Sequence, residues 1–125
     1  MAAPNIVNVT AIYGKTAVQA VGTSATAIVT NSAASGKVLK VNALYVSNVD
    51  GTNNAEITID VFRSSTAYRL ASTIVVPADA TLDVLSKSIY LEEGDSIRLT
   101  ANAANDLEAV CSYDCHLYTS PSPRD

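Results

Sequence analysis

The sequence predicts an all-β protein, a single antiparallel β-sandwich of jelly-roll or Ig-like type with about eight strands and no significant helix. Three observations predict it. Apolar and polar residues alternate along several short runs, most regularly where Ile57, Ile59 and Val61 interleave with Glu56, Thr58 and Asp60. Such spacing makes one apolar and one wet face only in an extended strand. Val, Ile and Thr, stiff at χ1 and suited to a pleated surface, dominate the periodic positions. Gly, Pro, Asn and Asp then punctuate the runs at short intervals, as turns require.

In chain order, Ile6–Tyr13 (IVNVTAIY) reads as a first strand, Gly14-Lys15 as a turn, and Thr16–Val21 as a second strand. Ala25–Thr30 follows as a third, and Asn31–Gly36 (NSAASG) as a loop of small residues. The stretch Val38–Phe62 is the best patterned of all. It reads as a β-hairpin at the centre of the sandwich, closed by Asp50-Gly51, because Gly takes the positive φ that a tight turn needs. Within it, Leu39, Val41, Ala43 and Tyr45 share one face while Leu44 and Val46 take the other. That conflict marks a central strand, or one carrying a bulge.

Tyr68, Leu70, Ile74 and Val76 form a further strand, stopped by Pro77-Ala78-Asp79. Thr81–Leu85 is a short apolar run, and Ile89-Tyr90-Leu91 leads to the turn Glu92-Glu93-Gly94-Asp95. Ile97 and Leu99 then alternate with Arg98 and Thr100, and Leu107, Ala109, Cys111 and Tyr113 with Glu108, Val110 and Ser112.

Composition narrows the function classes. A chain of 125 residues that is 48% hydrophobic and 16% charged has material for one real core. With no Trp and one Phe, that core must come from Val, Ile, Leu and Ala. The net charge of −4 and scattered Lys and Arg exclude a phosphate-tracking nucleic-acid surface. No run is long and apolar enough for a membrane span. Met1-Ala2-Ala3-Pro4 lacks the basic and apolar regions of a secretory signal, so synthesis in a cytoplasm is expected.

The residues give little support to chemistry. Nucleophilic catalysis needs a base beside Ser, Cys or Thr, and His116 is the chain's single histidine. Cys111, Cys115 and His116 lack the fourth ligand and the spacing of a zinc site. Glu92, Glu93 and Asp95 are neighbours in a turn, where acids are ordinarily solvated. Oxygen ligands for calcium are on offer at Asp50, Asn53, Asn54 and Glu56, but without EF-hand spacing and in residue types that turns use anyway. No catalytic residue and no cofactor is expected. The candidate contact loops are Asp50, Gly51, Thr52, Asn53 and Asn54 at one place and Glu92, Glu93 and Asp95 at another.

Two resemblances add to this reading. The segments APNIVNVTAIYGKTAVQAV, ALYVSNVDGTNNAEITIDVFRSS and SIYLEEGDSIRLTA resemble small virion structural proteins of marine T4-like tailed phages, of the cyanophage type. That resemblance implies a non-enzymatic component of the virion, made in the host cytoplasm, as a capsid decoration or a tail or neck accessory. Its partners would be other virion proteins and further copies of itself. An N-terminal arm over residues 1–12 would add a strand to a neighbour. A carbohydrate-binding or host-adhesion module using the same contact loops, with a glycan as partner, is the alternative. The second resemblance is that of Leu117–Asp125 (LYTSPSPRD) to a translated sequencing adapter. The expected division is therefore a sandwich domain over 1–114 and a disordered or artefactual tail over 115–125.

Overall fold

The computed structural model describes residues 11–118, and these form nine strands without a helix. They are β1 (Ala11–Ala20), β2 (Thr26–Thr30), β3 (Lys37–Asn48), β4 (Ala55–Arg63), β5 (Thr66–Val76), β6 (Thr81–Asp83), β7 (Ile89–Leu91), β8 (Ser96–Ala101) and β9 (Leu107–Leu117). Every pairing is antiparallel. Sheet I runs β1-β9-β3-β6, with β7 also on β3, and sheet II runs β2-β8-β4-β5. The two pack as a sandwich. Their inner faces supply Leu39, Val41, Leu44, Val46, Leu91 and Leu107 from sheet I, and Val29, Ile57, Ile59, Val76, Ile97 and Leu99 from sheet II. Aliphatic side chains thus fill the core, as the scarcity of large aromatics requires.

The bulge expected in β3 is present. The β3–β9 register shifts between Val41 and Ala43, so Leu39 and Val41 point inward before it and Leu44 and Val46 after it. One extra residue reverses the phase, and both halves of the run bury their apolar side chains. The central position holds as well, because β3 lies between β9 and the β6/β7 edge.

The hairpin expected over Val38–Phe62 does not form. β3 belongs to sheet I and β4 to sheet II, so the chain arches from one sheet to the other. A two-residue type I′ turn needs positive φ at both central residues, and neither Asp50 nor Gly51 has it. Asp50 instead folds the arch around its own carboxylate, accepting from the Thr52 and Asn53 amides at 2.8 and 3.3 Å. The tight hairpin lies one strand later. Arg63 pairs with Thr66 across Ser64 and Ser65, whose φ values of 53° and 61° are those of a type I′ turn.

Two boundaries also differ. Gly14-Lys15 is no turn, since β1 runs unbroken along β9 from Ala11 to Ala20. A strand backed by ten successive partners overrides the local turn preference of one glycine. At the other end β9 passes Asp114, where the domain was expected to stop, and continues to Leu117. Cys115 and His116 pair with both β1 and β3 and are buried. The first ten residues of the expected assembly arm, and residues 119–125 of the expected tail, lie outside the described residues.

Candidate interaction surface

β9 sits between β1 and β3, and its alternation decides what the outer face of sheet I displays. Leu107, Ala109 and Cys111 are buried inward, so Glu108, Val110 and Ser112 point out. In register with Val110 stand Val18 of β1 and Tyr45 of β3. This row crosses three strands, and its members are 73% (Val18), 40% (Val110) and 42% (Tyr45) exposed. The next rows carry Thr16, Ser112 and Ala43 on one side and Ala20, Glu108 and Ser47 on the other. Small side chains therefore flank an apolar strip on a pleated face, with Glu108 the one charged member of these rows. A second apolar area lies between the β5 edge and β7, where Tyr68, Leu70, Ile89 and Tyr90 line a cavity of about 390 Å³.

The loop after β3 is exposed from Gly51 to Asn54. Hydrogen bonds from Thr52 and Asn53 hold the Asp50 carboxyl below the usual carboxylate range. Asp106 stands beside it and is pushed the other way, by desolvation first and by the charge of Asp50 second. The calcium candidates are not gathered into a cage. Asn54 Oδ1 accepts the Ala78 amide at 3.2 Å, and Glu56 lies within β4. Among the described residues no group of three or more His, Cys, Asp or Glu side chains is placed to hold a metal ion.

The second contact loop is committed internally. Asp95 is 2% exposed, makes a two-point ion pair with Arg63, and accepts the Glu92 amide at 2.8 Å. Glu93 accepts the Gly36 amide at 2.8 Å and the Tyr118 hydroxyl at 2.5 Å. Glu92 lies 3.8 Å from Arg63. Asp95, placed among the contact residues on sequence, is thus a buried anchor, because an inward carboxylate met a guanidinium it could pair with.

Among the described residues the two thiols are not placed as nucleophiles. Cys111 and Cys115 are free, buried thiols on the inner side of β9, and burial pushes the Cys111 thiol up to about 11. A protonated thiol is neither a nucleophile nor a metal ligand. His116 is buried, and both its ring nitrogens lack a hydrogen-bond partner.

Three clusters went unmarked in the sequence reading. Asp60, expected on the wet face, is fully buried. Arg69 and Arg98 cover it, each with a nitrogen 3.0 Å from a carboxylate oxygen, and Arg98 also stacks 3.9 Å from the Phe62 ring centre. The direct pairing of Asp60 with Arg98 and Arg69 across three strands was not readable without the register. The other two are the buried amides Asn31 and Asn48, each of which clamps a loop.

No protein-family model and no curated protein matches the chain. Among solved structures it is similar to a subunit of the Bacillus endospore appendages, described as a novel family of disulfide-linked pili. The identity is 16%, the coverage 87% of this chain and 88% of that one, and the TM-score 0.52. It is also similar, at 20% identity and a TM-score of 0.37, to a pentameric capsid protein isolated from metagenomic phage sequences. That match covers 91% of this chain and 64% of the other. At such identities the likeness to the appendage subunit shows a shared β-sandwich fold.

Proposed function

We propose that this protein is a non-enzymatic structural subunit that assembles in many copies, as a component of a phage virion. The observation that carries the reading is the Val18–Val110–Tyr45 row, an apolar strip in register on an open sheet face. Covering a valine removes roughly 1–2 kcal/mol of unfavourable hydration, so a partner gains by seating there. The strand orders β1-β9-β3-β6 and β2-β8-β4-β5 are read as a jelly roll, a double-sheet architecture that serves viral capsids and lectins alike. Fold alone does not choose between those uses. The chemistry favours building: Asp50, Asp60, Glu93 and Asp95 are engaged in ion pairs or loop bonds, and the thiols are buried.

The fold shared with a pilus subunit supports repetition of this chain along a particle. The thiols of this chain, however, are inside the sandwich, so contacts between copies would not be disulfide-linked. Light scattering with size exclusion, over a range of concentrations, tests the reading. Wild-type protein should form oligomers, and Val18→Lys with Val110→Lys should hold the folded chain as a monomer. A wild type that stays monomeric at every concentration overturns it.

A further inference from the structure

At the Tyr13 end of sheet I, two lysines face the space between the sheets. Lys15 shares the phase of Gln19, whose amide Nε2 donates to the Ala27 carbonyl of β2 at 2.9 Å. Lys37 shares the phase of the buried Leu39 and Val41. Both positions pair with β9, Lys15 opposite Tyr113 and Lys37 opposite Leu117. Opposite them runs the loop from β2 to β3. Together they enclose a cavity of about 180 Å³ lined by Lys15, Lys37, Thr30, Ser32, Ser35 and Tyr113 among others. A wider recess of about 400 Å³ has the same two lysines in its wall.

The lining has a one-sided chemistry. No carboxylate borders either space. Neither lysine forms an ion pair among the described residues, whose ion pairs are all made by arginines. Two lysines, Lys15 exposed and Lys37 half-buried, line one cavity in a chain whose net charge is −4.

The wall opposite is held rigid. The Asn31 amide donates to the Lys37 and Leu91 carbonyls at 2.9 and 3.0 Å. Its oxygen accepts the Ser35 hydroxyl at 2.5 Å, and Ser35 in turn accepts the Lys37 amide at 3.2 Å. Of the remaining lining residues, Thr30, Ser32, Tyr113 and the two lysines carry side chains able to donate to a guest. Burial raises the Tyr113 pKa, which keeps its hydroxyl protonated and donating.

We propose that this cleft is a binding site for a small tetrahedral oxyanion of the phosphate class, with Lys15 and Lys37 as its cationic arms. The volume of about 180 Å³ admits one such ion with water, and donor-bearing residues line it from both sheet I and the β2–β3 loop. The anion would neutralise the lysines and cross-link the β2–β3 loop to sheet I, so binding should also raise the melting temperature.

The test is calorimetric titration of the full chain with sodium phosphate at low ionic strength, in wild type and in Lys15→Gln, Lys37→Gln and Lys40→Gln variants. Lys40 lies on the opposite phase of β3, paired with Asp114 and Tyr90, and serves as the control. Saturable binding of one phosphate per chain is expected. Lys15→Gln and Lys37→Gln should each weaken it roughly tenfold, the loss of one charge-assisted contact, and Lys40→Gln should leave it unchanged. Melting curves without phosphate check that each variant is folded. Absence of saturable binding, or an equal loss with Lys40→Gln, overturns the site. The measurement is made on the chain itself and stands whether or not copies assemble.

Discussion

Asn48 Nδ2 donates to the Val76 carbonyl at 2.9 Å, tying the end of a strand in sheet I to the end of a strand in sheet II. The same amide donates to the Asn53 carbonyl at 2.9 Å, and its oxygen accepts the Asp50 amide at 2.9 Å. One buried side chain therefore satisfies three backbone groups where the chain changes sheets. Asn48→Ala leaves them unpaired, at about 1 kcal/mol or more for each. A loss of roughly 3 kcal/mol in urea unfolding is expected, and Asn48→Asp should be no better, because it replaces the donor with an acceptor facing two carbonyls. A loss below about 1 kcal/mol would show that the arch holds without its clamp.

The Ser64-Ser65 turn has both residues at positive φ, a conformation that costs an L-residue roughly 1 kcal/mol. Asn and Gly adopt it more readily. Ser64→Asn with Ser65→Gly should therefore raise the melting temperature, by an amount equivalent to about 1 kcal/mol. Gly51→Ala is the matched control. Gly51 lacks positive φ, and an added Cβ would meet the Asp79 carboxylate, its nearest atom Oδ2 at 3.5 Å, in ordinary contact. It should be close to neutral. A marked loss at Gly51 would place a tight turn there after all.

These two turns show what was legible in the residues and what was not. Alternation identified the inward set Ile57, Ile59, Ile97, Leu99, Leu107, Ala109 and Cys111, because a strand's faces are a local property. The phase conflict of Leu39, Val41, Ala43 and Tyr45 with Leu44 and Val46 likewise gave a bulge as one of its two readings. Which strand sits beside which is not local. Asp50-Gly51 carries the better hairpin residues and Ser64-Ser65 the actual hairpin, since Asn48 and the core positions on either side decide where the chain crosses. The candidate site suffered in the same way. Lys15 and Lys37 are ordinary scattered lysines in the sequence, and only the packing of β1 and β3 around β9 brings them to one cleft.

Asp60 is 1% exposed at its side chain, whereas its partners Arg69 and Arg98 are 54% and 25% exposed. Removing either side of the cluster is consequently unequal. Asp60→Ala leaves two guanidinium groups that can turn to water, a cost of about 2 kcal/mol. Arg69→Ala with Arg98→Ala leaves a carboxylate buried without a cation and also removes the stacking on Phe62. That should cost about 3–5 kcal/mol. Urea midpoints at neutral pH give the order, and Asp60→Ala emerging as the more damaging change would contradict the geometry.

The Asp50 and Asp106 carboxyls are displaced in opposite directions. For Asp50 the folded pKa is depressed, so its contribution to stability is present above the ordinary carboxylate pKa and is lost as pH falls through the folded value. For Asp106 the folded pKa is raised, so its contribution is present at low pH and is lost as pH rises through that value. Carboxyl carbon shifts followed by NMR titration should place Asp50 below Asp106. In Asp106→Asn the loss on the rising side should disappear while the loss on the falling side remains. The reverse order of titration would mean that the two side chains do not share this end of the sandwich.

His116 pairs with Val38 on one side and Ile12 on the other, and only 7% of it is exposed. Neither ring nitrogen has a hydrogen-bond partner, so the imidazole has given up water without compensation. An unsatisfied buried polar group costs roughly 1–3 kcal/mol. Leucine fills a comparable volume beside Val38 and has no polar atom to desolvate. His116→Leu should accordingly stabilise the fold by about 1 kcal/mol, read as a higher urea midpoint at unchanged slope. A lower midpoint would show that the ring is bonded in solution and that this end of β9 is held by more than its ladder.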